Sequence, residues 1–329
     1  MSQAGGRRRA TVAIITPASA AANTGNWHTA ARWARWLKQR FNVRVQTTWD
    51  GAPADCLIAL HARRSAPSIR AFATAFPARP CIVVLTGTDL YRDIADDAEA
   101  QRSLALATRL VVLNNEAPRR LPAALRPRTE VILQSARRLV RGKPPARTFT
   151  VAVVGHLRGV KDPELAWRVL DAWPRDVRLR IVHVGAALDE ALGTRAAATT
   201  AADPRYEWDG DVPRARARQI MRNAHVLLHP SRMEGGAQAV IEAVTAGTPV
   251  IGSRIDGNVG LLGRDYRGFF APGDADAARR LLLRAARDPA FLRRLRTQCR
   301  RRAPLFSPQR EQRLVLRLVD NCLRPLTSR

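Results

Sequence analysis

Two glutamates, eight residues apart, stand in the part of this sequence that is richest in groups able to do chemistry. The stretch 228–250 reads LHPSRMEGGAQAVIEAVTAGTPV, and its carboxylates are Glu234 and Glu242. Eight residues at about 100° each would bring the second glutamate back to nearly the helical face of the first. One carboxylate can then hydrogen-bond the hydroxyls of a sugar while the other holds a ribose diol. The alternative is that both are solvated surface charges.

The residues between the two glutamates suit a diphosphate. Gly235 and Gly236 have no side chains, so backbone N–H groups there can approach an oxyanion closely. A helix predicted over Ala237–Ala246 points its positive end at the same place. We therefore predict a donor site that binds a nucleotide sugar through Glu234, Gly235, Gly236, Ala237 and Glu242.

A second group of candidate residues follows the strand predicted at Thr148–Val154. Gly155 opens a loop that carries Arg158 and Lys161, the latter one of only three lysines in the sequence. Two cations at the carboxyl end of a strand can stabilise the charge that a diphosphate gains as it leaves. Arg158, Lys161 and Glu234 are the predicted catalytic residues, and no metal or other cofactor is expected. The alternative for this loop is a solvated turn.

Candidates for binding an acceptor lie in the first half of the sequence. Asn23, Gly25 and Asn26 stand in the loop 17–27 after the first predicted strand. Backbone amides and asparagine side chains in such a loop can cradle an anion. The alternative is a plain strand-to-helix connection.

Three more acceptor candidates follow other predicted strands. His61 can assist proton transfer or bind an acceptor phosphate. Asp89, next to Thr88, can orient a sugar hydroxyl or a nucleophile. The alternatives are a core or loop role for the histidine and a helix N-cap for the aspartate.

Short apolar runs alternate with helical patterns along the chain and must position these residues. The runs are rich in Val, Ile and Leu, as in strands buried on both faces of a parallel sheet. They are Thr11–Thr16, Val43–Thr48, Asp55–Leu60, Pro80–Leu85, Arg109–Leu113, Thr129–Leu133, Thr148–Val154, Arg178–Val184, Tyr206–Trp208, His225–Leu228, Pro249–Gly252 and Gly268–Phe270. Helices are predicted at Trp27–Arg40, Pro67–Phe76, Asp96–Thr108, Glu116–Leu125, Pro163–Ala172, Arg214–Asn223, Ala237–Ala246, Asp274–Arg287, Pro289–Arg302 and Pro308–Leu323. This order predicts an α/β fold of two Rossmann-like, doubly wound parallel sheets.

A segment rich in Gly and Pro interrupts the rhythm near residue 140 and predicts two domains. We expect an acceptor domain over 1–140, a linker over 141–147 and a nucleotide-sugar domain over 148–306. Residues 307–329 would form a C-terminal helix that packs back on the first domain. A cleft between the domains is expected to hold the ligands, at the carboxyl ends of the strands.

Composition limits the other possibilities. The net charge of +27 comes almost entirely from arginine spread over all 329 residues, whereas a nucleic-acid surface clusters its charge. No apolar run approaches the ~20 residues that span a bilayer, and no signal peptide is indicated, so a cytoplasmic protein without stable membrane insertion is expected. The four cysteines lack the spacing of a zinc site. Small-molecule substrates are the expected partners, and the oligomeric state stays open.

These residues carry a family resemblance. Arg158, Lys161, Glu234 and Glu242 together resemble the retaining GT-B glycosyltransferases of family four. The resemblance implies that the Arg/Lys pair binds the donor diphosphate, the first glutamate contacts the donor sugar, and the second binds the nucleotide ribose. It implies a UDP-sugar-dependent, metal-independent hexosyltransferase.

A narrower resemblance covers five ordered segments. They are similar to the selenosugar synthases of selenoneine biosynthesis and comprise GNxxTAxRW (25–33), ALHARRS (59–65), LTGTDLY (85–91), SRMEGGA (231–237) and SRIDGNVGLLG (253–263). This resemblance implies selenophosphate as acceptor, UDP-GlcNAc as donor and a 1-seleno-sugar as product.

The chain departs from the broad family in two places. The loop 86–89 has no histidine where many members carry one that touches the donor sugar, and residues 234–237 read EGGA instead of EGFG. Three other functions remain as alternatives: transfer to a hydroxyl of a lipid or glycan, nucleic-acid binding driven by the positive charge, and sugar sensing by a protein that binds the donor without catalysis.

Overall fold

The computed structural model describes residues 8–18 and 25–324, which form two compact units. The first unit contains residues up to Leu133 together with those from Gln309 onward, and the second contains Gln134–Pro308. The domain boundaries proposed from the sequence stay predictions. Within the predicted linker, however, Arg141 donates hydrogen bonds to the Arg222 carbonyl and to Thr248 Oγ1, so that residue is anchored on the second unit.

The first unit is built on a six-stranded parallel sheet. Its strands are β1 (Thr11–Ile15), β2 (Asn42–Gln46), β3 (Cys56–Leu60), β4 (Cys81–Leu85), β5 (Arg109–Val112) and β6 (Thr129–Val131), in the order β2-β1-β3-β4-β5-β6. Its helices before residue 134 are α1 (Gly25–Leu37), α2 (Ala66–Ala75), α3 (Ile94–Asp96) and α4 (Ala98–Leu106). Alternate residues of β1 face opposite cores: Val12 and Ile14 pack toward α1, and Ala13 and Ile15 toward α2. The sheet is therefore buried on both faces.

The second unit repeats the architecture with a different strand order. Its strands are β7 (Phe149–Val154), β8 (Leu179–Val184), β9 (Tyr206–Trp208), β10 (Val226–His229), β11 (Val250–Ser253) and β12 (Phe269–Phe270), in the parallel order β12-β11-β10-β7-β8-β9. Its helices are α5 (Glu164–Arg168), α6 (Glu190–Ala202), α7 (Arg214–Asn223), α8 (Gln238–Thr245), α9 (Asp256–Leu262), α10 (Ala275–Arg287) and α11 (Pro289–Arg302). This is the strand order of a Rossmann sheet, which confirms the predicted fold class.

The last helix, α12 (Pro308–Leu323), packs against α1 in the first unit. The buried carboxylate of Glu311 accepts hydrogen bonds from Arg32 at 2.8 and 3.0 Å and from Trp33 Nε1 at 2.8 Å. Val315 and Val319 add apolar contact to the same core. The chain therefore returns to its first unit after completing the second.

Each of the predicted strands is present within a few residues of its expected bounds, but several helices differ from the prediction. The helix predicted at Glu116–Leu125 is wrong: two 3₁₀ turns, Ala117–Arg120 and Ala123–Arg128, stand there, because prolines cannot continue an α-helix. Helix α5 is half the expected length. Helices α6 and α9 are not predicted from the sequence.

Candidate functional site

The candidate donor site lies where the strand order of the second unit reverses. Strand β7 is central, with β8 on one side and β10 on the other. The loops after β7 and β10 therefore run in opposite directions at neighbouring positions, and ligands of open α/β sheets bind at such a point. The predicted cations lie in the first loop and Glu234 lies in the second.

The central contact of the site joins these two loops. Lys161 ends a 3₁₀ turn, Gly159–Lys161, and its Nζ donates a hydrogen bond to Oε1 of Glu234. Nε2 of the buried His229 lies 3.4 Å from the same oxygen. Burial of Glu234 acts to raise its pKa, but Lys161 and His229 outweigh burial and hold that pKa well below its usual range. Glu234 is therefore a carboxylate at neutral pH.

Backbone and side-chain contacts hold the two loops in this arrangement. The N–H of Arg232 donates to the Val160 carbonyl at 2.9 Å. The guanidinium of Arg232 lies 3.0 Å from the buried carboxylate of Asp162, which adopts a left-handed backbone conformation with φ of 47°. A left-handed conformation is uncommon outside glycine, and aspartate is among the residues that tolerate it. The ion pair thus holds together the neighbours of Lys161 and Glu234.

Glycine is required behind Glu234. A Cβ atom on Gly257, in the first turn of α9, would lie 2.2 Å from the Glu234 carbonyl oxygen and 2.8 Å from its Cβ. The next residue, Asn258, donates from Nδ2 to the Ser253 carbonyl at 2.8 Å, which fixes α9 on the end of β11. The backbone of Glu234 is therefore supported directly by a neighbouring helix.

Gly155, the predicted donor residue after β7, is held by buried polar groups. Burial lowers the pKa of His183 to about 4, so its ring is neutral at physiological pH. Nδ1 of His183 lies 2.9 Å from the Tyr206 hydroxyl, and Nε2 lies 3.2 Å from the Gly155 carbonyl. Since that carbonyl only accepts, the proton is on Nε2, and the Tyr206 hydroxyl donates to Nδ1. Gly185 approaches so closely that a Cβ there would lie 2.1 Å from the Gly155 oxygen.

Glu242 has different partners from Glu234. It lies on α8, and its buried carboxylate accepts hydrogen bonds from Arg214 on α7 and, at 3.4 Å, from Gln238. Helix α8 begins at Gln238, so Glu234 precedes it, and the argument from helical periodicity for a shared face is wrong. Gly235, Gly236 and Ala237 precede the helix, which begins one residue later than the predicted helix Ala237–Ala246.

Arg158 is exposed at the start of the 3₁₀ turn, and within the described ranges no carboxylate pairs with it. Of the four side chains predicted to bind the nucleotide-sugar donor, the structure thus joins Lys161 to Glu234. It gives Glu242 its own cation and leaves the guanidinium of Arg158 accessible. Their roles with a ligand stay predictions.

Gly25 and Asn26, the predicted acceptor residues after β1, are the first residues of α1 rather than part of a loop. The Gly25 carbonyl accepts a hydrogen bond from Thr29 Oγ1 at 2.8 Å, and a Cβ on Gly25 would meet nothing within 4 Å. First-turn N–H groups have no partner within a helix, so an anion can still bind there. Asn23 lies outside the described residues.

His61, Thr88 and Asp89 come together at the carboxyl ends of β3 and β4. His61 has a left-handed backbone with φ of 73°, and its Nε2 lies 2.9 Å from Thr88 Oγ1. Nδ1 of His61 accepts from the Arg64 N–H at 3.3 Å and lies 4.0 Å from Asp89, and burial is the main cause that lowers the pKa of His61. The buried carboxylate of Asp89 accepts hydrogen bonds from the N–H groups of Ala62, Thr86, Gly87 and Leu90. Asp89 therefore already ties two loops together, and its role toward an acceptor stays a prediction.

Three residues of the donor site are absent from the sequence predictions. His229 directly follows the predicted strand His225–Leu228, which is a signal that could have identified it. Arg214 and Arg232 are two arginines among many, and only the fold shows that they face Glu242 and Asp162.

Among residues 8–18 and 25–324 no group of three His, Cys, Asp or Glu side chains is arranged to hold a metal ion. In the same ranges no helix is long and apolar enough to span a membrane.

The chain is similar to known proteins both in its sequence and in its structure. The profile of the family "Glycosyl transferases group 1" matches residues 139–305, half of the chain. The structure is similar to HepE of Anabaena solved with UDP and glucose (15% identity, 95% of this chain and 100% of that one, TM-score 0.75). It is also similar to a sucrose-phosphate synthase of Thermosynechococcus elongatus (16%, 95% and 99%, 0.77) and to a glycosyltransferase of Rickettsia africae (12%, 96% and 99%, 0.74). No curated protein matches the sequence.

Proposed function

The chain belongs to the group 1 glycosyl transferases, and from this premise we propose that it transfers a sugar from a UDP-sugar bound by its second unit. The observation that carries the proposal is the contact between Lys161 and Glu234 at the point where the strand order reverses. A UDP-sugar is further supported by HepE of Anabaena, a protein of the same fold whose structure has been solved with UDP-glucose.

In this proposal the donor diphosphate is bound by cations and backbone amides. Lys161 and the accessible Arg158 contact its oxygens, and the N–H groups at the start of α8 add partial positive charge. As the bond between the anomeric carbon and the diphosphate breaks, UDP gains negative charge, which the fixed cations stabilise. No metal ion takes part in this proposal.

The two glutamates bind the hydroxyl groups of the donor. Glu234 is ionised and held by Lys161 and His229, so its carboxylate can accept from hydroxyls of the sugar. Glu242 lies on α8 and accepts from the ribose. Both side chains are mostly buried, and a carboxylate shielded from water discriminates strongly between a ligand with a hydroxyl and one without.

We further propose selenophosphate as the acceptor and UDP-GlcNAc as the donor. The support is the set of ordered motifs that resemble selenosugar synthases. Selenium attacks the anomeric carbon while the carbon–oxygen bond to UDP breaks. Water then cleaves the selenium–phosphorus bond and releases phosphate and a 1-seleno-sugar. The residues proposed to bind selenophosphate are Gly25, Asn26, His61, Thr88 and Asp89.

Replacement of the two contacting residues tests the donor site. We expect Lys161→Ala and Glu234→Ala each to lower release of UDP from UDP-GlcNAc in the presence of selenophosphate by about 100-fold or more, the effect of losing a fixed charge-stabilising group. The exposed Lys143→Ala and Glu190→Ala serve as matched controls and should retain the rate of the unmodified chain. Full activity in Glu234→Ala would exclude the proposed site.

The same assay separates the acceptors. Mass spectrometry should detect a seleno-sugar and released phosphate. Turnover with a lipid or glycan hydroxyl, and none with selenophosphate, would retain the glycosyltransferase and overturn the selenium acceptor. Tight nucleic-acid binding with a steep salt dependence, and no turnover of any UDP-sugar, would favour the nucleic-acid alternative.

A further inference from the structure

Arg214 and Gln238 both donate to one oxygen of Glu242. Nε of Arg214 lies 2.8 Å from Oε1, a second guanidinium nitrogen also contacts Oε1, and Nε2 of Gln238 lies 3.4 Å from the same atom. No hydrogen bond of the described residues reaches Oε2. The carboxylate is thus held in one rotation, with one oxygen occupied and the other open to accept.

The contacts also come from two directions. Arg214 begins α7, whereas Gln238 begins α8 and donates through its Nε2 to the Ser135 carbonyl at 3.2 Å as well. Arg218, one turn further along α7, donates to the Arg137 carbonyl and is only attracted to Glu242 electrostatically, so the ion pair in direct contact is with Arg214. Arg214 is therefore the cation in direct contact with Glu242, and its place in α7 fixes that contact.

Burial makes this pairing important for the carboxylate. The side chain of Glu242 is 5% exposed, and that of Arg214 is 42% exposed. A buried carboxylate without a partner is strongly disfavoured, and an unpaired one is free to rotate or draw in water. Arg214 offsets the charge from the solvent side and leaves Oε2 available.

We propose that Arg214 is a positioning residue: it orients Glu242 so that Oε2 accepts a hydrogen bond from a ribose hydroxyl of the nucleotide donor. This inference rests on the proposed function, because it assigns the ribose to Glu242. Arg214 lies on a different helix from Glu242 and outside the stretch between the two glutamates. The inference therefore adds a second residue on which recognition of the ribose depends.

The test compares UDP with 2′-deoxy-UDP and 3′-deoxy-UDP by isothermal titration calorimetry on the full chain. A hydrogen bond to a charged group changes affinity by about tenfold to a hundredfold. The unmodified chain should therefore bind UDP at least about tenfold more tightly than one of the deoxy analogues. In Arg214→Ala this ratio should fall to about two or less, because the affinity for UDP drops and the affinity for that analogue does not.

A matched control lies on the same helix. Arg216 is exposed and its guanidinium donates to Gln219, at 3.4 Å, so Arg216→Ala should preserve the ratio of the unmodified chain. Arg214→Lys keeps the charge but cannot donate through two nitrogens to one oxygen, so its ratio should be intermediate. If circular dichroism shows that Arg214→Ala is unfolded, Arg214→Gln takes its place, and the same fall in the affinity ratio is expected.

The outcomes separate this inference from the proposed function. An unmodified chain that does not bind UDP would overturn both. If the unmodified chain binds UDP and both deoxy analogues equally well, the assignment of the ribose to Glu242 is wrong. If Arg214→Ala prefers UDP over the deoxy analogue as strongly as the unmodified chain does, or binds UDP more tightly, only the positioning role of Arg214 is overturned.

Discussion

The carboxylate of Glu234 lies between an ammonium group and an imidazole, and this has a consequence for stability that can be measured. Lys161 and His229 lower its pKa in the folded chain despite burial. A carboxyl group with a lowered folded pKa contributes stability above its unfolded pKa of about 4.3, and that contribution is lost as the pH falls below this value.

We expect Glu234→Gln to melt at a lower temperature than the unmodified chain at pH 7. The difference should shrink as the pH is lowered from about 5 to 3, where the native carboxylate loses its linked stability. Thermal denaturation across this range checks the prediction. Glu190→Gln, at an exposed position, should show a small difference at every pH. A Glu234→Gln difference independent of pH would contradict the assigned electrostatics.

Site residues can be predicted from the sequence where a charged side chain follows a predicted strand. Lys161 and Glu234 are predicted because each follows a strand that ends at the same edge of a sheet, and the structure brings them into contact. Arg214 and Arg232 are not predicted, because the residues next to an arginine in the sequence do not indicate which distant carboxylate it contacts. Pairing between residues far apart in the sequence depends on the packed fold rather than on local spacing.

At the scale of elements, the approach of α9 to the loop that carries Glu234 depends on a missing side chain. A Cβ on Gly257 would lie 2.2 Å from a backbone oxygen, which cannot move as the end of a flexible side chain can. Gly257→Ala should therefore destabilise the protein by roughly 1–3 kcal/mol, the usual cost of overpacking. Urea denaturation monitored by tryptophan fluorescence measures this change.

Gly159→Ala supplies the control for that substitution. Its Cβ would meet nothing within 4 Å, and its backbone has no left-handed conformation, so a change within about 0.5 kcal/mol is expected. Equal effects of the two substitutions would mean that the close approach of α9 does not matter for stability.

Elements are predictable from the sequence when their burial follows a regular pattern. The central strands β3 and β4 are apolar on both faces, so each one appears as an uninterrupted hydrophobic run. Helix α6 buries only Gly193 and Ala196, small residues that give little amphipathic signal, and it is therefore missed. The segment 116–125 has a helical pattern of apolar residues, but its prolines permit only 3₁₀ turns.

At the scale of the whole molecule, the repeated strand–helix order predicts two doubly wound sheets, but it does not predict their strand orders. The first sheet has β2 at its edge beside β1, whereas the second has two strands, β8 and β9, on the corresponding side of β7. The order of strands in a sheet depends on which face of the sheet each connecting helix crosses. Local sequence periodicity does not indicate that face. Even so, the candidate sites lie after strands that the sequence identifies.

The return of α12 to the first unit is the long-range feature with the sharpest consequence. Glu311 is fully buried and satisfies both Arg32 and Trp33, so Glu311→Ala leaves a largely buried guanidinium without its partner. Removing one member of a buried ion pair costs about 3–5 kcal/mol. Hydrogen–deuterium exchange should then accelerate in peptides of α1 and β1, while peptides of β7 to β12 keep their protection. Affinity for UDP should also persist, because the residues proposed to bind it all belong to the second unit.

Asp320→Ala is the matched control for Glu311→Ala, because it removes a carboxylate of the same helix from an exposed pair with Arg40. Exposed ion pairs contribute about 0–1 kcal/mol, so its exchange pattern should be close to that of the unmodified chain. If Glu311→Ala left exchange in α1 unchanged, α12 would not be a structural part of the first unit. If it accelerated exchange in both units equally, the two units would unfold together, and the fold would behave as one cooperative body instead of two.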